Sequence, residues 1–139
     1  MRRLSYLLAL VGLAGCQSES LDIRANYRIK LAVTTPATVL KLRQPVPLTL
    51  ELMTDSYYDK YGYQLQFYQA TGLGRLAETR NGDVREPVLQ RVPVVLALGQ
   101  SVWQYTPEAT GTSQLVLIAQ QERGYTQPDT VRITVQVNP

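Results

Sequence analysis

Apolar side chains recur at every second position through run after run of this chain, and a period of two admits half-buried strands while excluding amphipathic helices. Tyr27, Ile29, Leu31 and Val33 alternate with Arg28, Lys30 and Ala32. Val46, Leu48, Leu50 and Leu52 alternate with Pro47, Thr49, Glu51 and Met53, and Tyr63, Leu65 and Phe67 with Gln64, Gln66 and Tyr68. Val94, Leu96 and Leu98 keep the rule, with Pro93 marking that strand as an edge or its beginning. Trp103 and Tyr105 share one face of a further strand. Residues 115–119 are apolar on both faces, as suits a central strand, and Val131, Ile133, Val135 and Val137 alternate with Arg132, Thr134 and Gln136 to form the last. Turn signals separate the runs at Thr35-Pro36, Gln44-Pro45, Gly72, Asn81-Gly82, Gly99, Thr110-Gly111 and from Gly124 to Pro128. About seven strands at this spacing predict an all-β, immunoglobulin-like sandwich over residues 26–139, with no place for a long helix. Trp103 is expected as a core anchor between the sheets and not as a stacking platform for ligand.

The first residues obey a different rule. Met1-Arg2-Arg3 is a positive start, and residues 4–15 are apolar apart from Ser5 and Tyr6. That run is too short to span a bilayer, which takes about twenty apolar residues, and it has the layout of a signal peptide. It ends in Leu13-Ala14-Gly15-Cys16, which resembles the lipobox of bacterial lipoproteins, where small residues admit the peptidase and the Cys thiol takes up diacylglycerol. The chain therefore divides into a lipoprotein signal peptide over 1–15, a lipidated tether over 16–25 and the β domain. Two or more acyl chains suffice for stable anchoring, so membrane lipid, held through Cys16, is the first expected partner. Gln17 stands where inner-membrane lipoproteins often carry Asp, which favours the outer membrane and leaves open which side the domain faces.

Composition closes several functional classes. Loss of the fifteen-residue signal leaves 124 of the 139 residues, enough for a core that needs neither disulfide nor metal, and a single Cys makes no internal bridge. The net charge of +3 and pI near 9.1 include Arg2 and Arg3, which belong to the export signal. Without them, twelve basic residues face eleven acidic ones, a balance that gives no phosphate-tracking surface, so no direct contact with nucleic acid is expected. The chain has no histidine and its one thiol is assigned to lipid, so no Ser-His-Asp or Cys-His triad and no His or zinc-thiolate metal site can form. No cofactor, no metal and no enzymatic activity are expected; carboxylate catalysis would need two acids converging in a cleft.

The stretch Ser56-Tyr57-Tyr58-Asp59-Lys60-Tyr61-Gly62-Tyr63 gathers four tyrosines in a loop and strand entry. A tyrosine has a large apolar ring and a polar tip, so Tyr57, Tyr58, Tyr61 and Tyr63 are the candidate binding residues. The competing reading packs Tyr61 and Tyr63 inward, with Tyr57 and Tyr58 covering the end of the sandwich. Asp55 and Asp59 lack the dense spacing of a calcium loop. Gly72-Leu73-Gly74 follows a strand without opening a helix, which makes it a turn or bulge and no phosphate loop. Residues 78–91 carry charges of both signs around Asn81-Gly82 and read as a surface hairpin or excursion.

Residues 63–76, Tyr-Gln-Leu-Gln-Phe-Tyr-Gln-Ala-Thr-Gly-Leu-Gly-Arg-Leu, resemble the TraQ-type lipoproteins of Bacteroides-type conjugative transposons, in which a Tyr-x-Leu-x-aromatic-aromatic-Gln strand runs into a glycine-rich turn and Leu. A fainter likeness extends from Tyr27 to Val137 and includes Trp103-Gln104-Tyr105, and Cys16 matches the lipid attachment of that family. The segment 77–91 departs most. The resemblance implies an immunoglobulin-like domain in a conjugative DNA-transfer setting, with envelope or conjugation proteins as partners. It brings no catalytic or ligand residues across. The alternative is a surface lipoprotein whose sandwich binds glycan or a host ligand through its tyrosines.

Overall fold

The computed structural model describes residues 28–55, 60–124 and 126–139. Ten strands form among them: β1 (Lys30–Thr34), β2 (Val39–Lys41), β3 (Val46–Met53), β4 (Tyr63–Thr71), β5 (Gly74–Arg80), β6 (Asp83–Val84), β7 (Val94–Leu96), β8 (Gly99–Pro107), β9 (Gly111–Gln121) and β10 (Asp129–Asn138). The described residues contain no helix. The strands make two five-stranded sheets, ordered β1-β3-β8-β5-β6 and β2-β10-β9-β4-β7. All pairings are antiparallel except β2 with β10. In chain order β1, β3, β4, β5, β8, β9 and β10 fill the seven places of an immunoglobulin sandwich, with β1-β3-β8-β5 facing β10-β9-β4. The other three are edge additions of two or three residues.

The seven runs seen in the sequence are not quite these seven. They include the edge strand β7, which starts directly after Pro93 as its missing N–H requires, and they omit β5. The reason lies in β5 itself. It opens on glycine, ends in Thr79-Arg80, and buries two consecutive residues, Leu76 and Ala77, one on each face. No alternation is left to see, and backbone pairing with β8, Leu76 opposite Tyr105, makes it a strand. The polar segment beyond is a hairpin and then a strap. Asn81 and Gly82 at φ 51° and 82° form the two-residue turn between β5 and β6, the left-handed pair that matches strand twist. Arg85 and Val88 then donate backbone N–H groups to Glu78 and Leu76 at 2.8 Å, and Arg91 to Phe67 at 2.8 Å. This path covers the β5 edge and carries the chain across to the other sheet.

The core lies between the inward positions of the alternating strands. Leu48, Leu50, Leu52, Trp103, Tyr105 and Leu76 from one sheet meet Leu65, Phe67, Leu115, Leu117, Val135 and Val137 from the other, all buried. Each contributes roughly 1.5–3 kcal/mol of apolar transfer, which is how two sheets without a disulfide stay together. Trp103 is the largest of these buried side chains and sits between the sheets as expected; its indole N–H donates to Ser101 Oγ at 2.9 Å. The doubly apolar run 115–119 is central, with β10 on one side and β4 on the other. On its outer face Val116 is buried between Tyr68 and Arg132, its cross-strand neighbours.

Candidate functional site

Both termini of the sandwich's long axis carry distinct chemistry. At one pole β1 begins, β3 ends, β4 begins, β9 ends and β10 begins, so the described chain enters the domain beside the ends of β3 and β9. Asp129 ties the two sheets here, its Oδ2 accepting the Leu31 N–H at 2.8 Å, and Gly62 O accepts the Glu122 N–H at 2.9 Å. Arg28, Lys30, Lys60 and Arg123 project from this pole among Asp55, Glu122 and Asp129. An open cleft of about 560 Å³ is lined by Arg28, Lys30, Met53, Asp55 and Asp129. Its two carboxylates share the space with two cations, and one of them already holds β1. No group of three His, Cys, Asp or Glu residues that could hold a metal ion occurs among the described residues.

The tyrosines named from sequence separate at this pole. Tyr63 is buried on the inner face of β4 and belongs to the core. Tyr61 is half-buried against that core, with the Lys60 ammonium 5.7 Å from its ring centroid, within the range of a cation–π contact. Both packings follow the inward alternative. Tyr57, Tyr58 and Asp59 lie outside the described residues, as do Cys16, the signal segment and the tether.

At the opposite pole a buried polar cluster appears that sequence reasoning missed. The Tyr105 hydroxyl donates to Gln69 Oε1 at 2.9 Å and lies 3.0 Å from Ser113 Oγ. Its single proton goes to Gln69, so the Ser113 hydroxyl supplies the hydrogen in the second contact. The Gln69 amide in turn donates to Ser113 Oγ at 2.9 Å, closing a ring of three side chains, and to Thr71 O at 2.8 Å. Tyr105 belongs to one sheet, Gln69 and Ser113 to the other, so the ring is an inter-sheet clamp. Burial pushes the phenol pKa upward, outweighing the opposing effect of its hydrogen bonds with Ser113 and Gln69. The group stays a neutral donor and is no nucleophile.

The residues around the clamp explain the recognisable stretch 63–76. The register of β4 against β9 shifts between Gln69 and Thr71, and this bulge turns the Gln69 amide toward Ser113. Gly72 has φ 77°, and a Cβ there would stand 2.7 Å from Ser113 Oγ; a Cβ on Gly74 would collide with the Tyr105 ring and hydroxyl. The glycines are there because the turn presses against the clamp. The only signals in the sequence were the paired glycines and a Gln three positions before them, and neither names its partner some forty residues away.

The fold is similar to that of a conjugative transposon lipoprotein from Bacteroides eggerthii, with TM-score 0.62 and 18% identity over 77% of this chain and 95% of that one. It is similar to a lipoprotein from Bacteroides thetaiotaomicron, TM-score 0.61 and 18% identity over 78% and 81%. A conjugate transposon protein from Bacteroides vulgatus gives TM-score 0.61 and 16% identity over 85% and 91%. At these identities the likeness is one of fold. No protein-family model matches the sequence, and no curated protein matches it.

Proposed function

We propose that this chain is a non-enzymatic, lipid-anchored envelope protein, an accessory interaction module of a conjugative DNA-transfer apparatus in the manner of the TraQ-type lipoproteins. The observation that carries the reading is a likeness of the whole sandwich, covering 95% of a conjugative transposon lipoprotein, in a chain whose first residues run from positive start through apolar run to Ala14-Gly15-Cys16. In this reading Cys16 bears acyl chains that hold the protein on the outer membrane, and the domain acts by touching other envelope proteins. From Cys16 to Arg28 the chain advances twelve residues, which reach at most about 40 Å when extended. That tether keeps the domain close to the bilayer, and we assign Tyr57, Tyr58 and the exposed part of Tyr61 to contacts with partner envelope proteins.

The experiment is a donor strain with the gene deleted and then restored. Transfer frequency falls on deletion and recovers with the wild-type gene. Undiminished transfer from the deletion strain overturns the reading.

A further inference from the structure

The two outer faces of the sandwich differ in kind. On β4, β9 and β10 the outward positions are mostly amides and hydroxyls that satisfy one another, Gln120 donating to Gln64 at 3.4 Å and Thr112 to Gln136 at 3.2 Å. On the other sheet one outward row crosses all five strands as Thr34, Thr49, Val102, Thr79 and Val84. Val102 and Val84 keep 45% and 54% of their surface exposed, one on each side of Thr79 in that row.

Two clefts open on that face, one on each side of Gln104, which lines both. The first, about 210 Å³, is walled by Pro45, Pro47, Thr79 and Val102. The second, about 250 Å³, sets Ala77, Val84 and Pro87 beneath the cations Arg75 and Arg85. Arg85 has no ion pair among the described residues, and its backbone is pinned by the N–H it donates to Glu78 O. Arg75 pairs with Glu108, but its side chain is 59% exposed, and such a surface pair yields readily to a competing carboxylate. The face thus offers an apolar seat beside two planar guanidinium forks, whose geometry matches a carboxylate.

We propose that this face docks an extended segment of a partner protein, with an acidic side chain held by Arg75 and Arg85 and an apolar side chain seated between Pro45, Pro47 and Val102. The strands bearing the two clefts, β5 and β3, lie two inter-strand spacings apart, about 10 Å, and an extended chain advances about 3.3 Å per residue. Alternate side chains of an extended chain face opposite ways, so the acidic and apolar residues that both face this sheet are an even number of positions apart. Four positions span about 13 Å, and the long arginine side chains cover the difference. Two cations over an apolar lining suit a carboxylate on a peptide; a polynucleotide backbone demands a longer cationic track. The inference deepens the interaction-module reading and rests on it, and its readout needs no conjugation, so either can fail while the other stands.

The test titrates full-length protein in detergent with fluorescein-labelled short peptides carrying Glu and Leu four positions apart, on one face of an extended chain. Control peptides replace Glu by Gln or Leu by Ser. The expected result is saturable anisotropy for the acidic, apolar peptide, weakening with salt, and binding at least about tenfold weaker for either control. Arg85→Ala loses about tenfold, Arg85→Lys loses less, and Val102→Asp abolishes binding; all three positions are exposed, and an unchanged circular dichroism spectrum shows the fold intact. Equal binding of the Gln control, unchanged binding by Arg85→Ala, or no peptide binding overturns the proposal. So does an Arg85-dependent response to single-stranded DNA or anionic vesicles in place of peptide, or a dimer that Val102→Asp dissolves.

Discussion

Removing the Tyr105 hydroxyl deprives the Gln69 amide oxygen of its donor and leaves the Ser113 hydroxyl hydrogen only the longer contact to Thr71 O at 3.4 Å, so Tyr105→Phe is expected to cost about 1–3 kcal/mol by urea unfolding. The clamp also has a pH signature. Burial raises the phenol pKa in the folded chain above its usual value near 10, so the folded state keeps this proton longer than the unfolded chain. The associated stability is complete below about pH 10 and is lost as pH climbs through the raised folded value. The urea midpoint of the wild type should therefore fall above pH 10 more steeply than that of Tyr105→Phe. Gly74→Ala pushes a methyl group into the same ring and should cost about 1–3 kcal/mol. Leu65→Ala, at a fully buried position, should cost about 2–5 kcal/mol, since its neighbours collapse only in part around the void.

Among elements, the sheet order ranks local stability. β9 is paired along both edges and buries residues on both faces, whereas β2 and β7 are three-residue edge strands. Native-state hydrogen exchange should show β9 amides protected to nearly the global unfolding free energy, with β2 and β7 opening by local fluctuation. Rapid exchange at Leu117 would contradict the order. The element scale is also where sequence reading was weakest. β1, β3, β4, β7, β8, β9 and β10 were visible because one face of each, or both in β9, is apolar at alternate positions. β5 was invisible because its two buried residues are adjacent, and what makes it a strand is the neighbouring backbone of β8.

For the whole molecule, the asymmetry between poles matters most. The chain leaves toward Cys16 from the pole of Asp129 and Tyr61, while the Tyr105 clamp and the turn at Gly72 lie at the other end. With Cys16 lipidated as proposed, each buried methylene of an acyl chain would contribute about 0.8 kcal/mol to membrane attachment, a sum far above anything the mixed charges of the pole supply. Cys16→Ala is thus expected to shift the protein from the membrane pellet to the soluble fraction. Its domain should remain folded by circular dichroism, because no described core residue lies before Ile29. Retention in the pellet after alkaline wash would locate the anchor elsewhere.

Alternation alone determined that this chain makes two packed sheets, since a period of two leaves each strand one face to hide and only another sheet can hide it. The buried Trp103, the central run at 115–119 and the turn at Asn81-Gly82 follow from the same local facts. Tertiary structure decided what depends on distant partners: that β5 is a strand, that Gln69, Tyr105 and Ser113 meet, and that Arg75 and Arg85 border one cleft. Periodicity reports which side of a strand is buried, but not which strand lies beside it, and each of these features exists only between neighbours that the chain brings together from far apart.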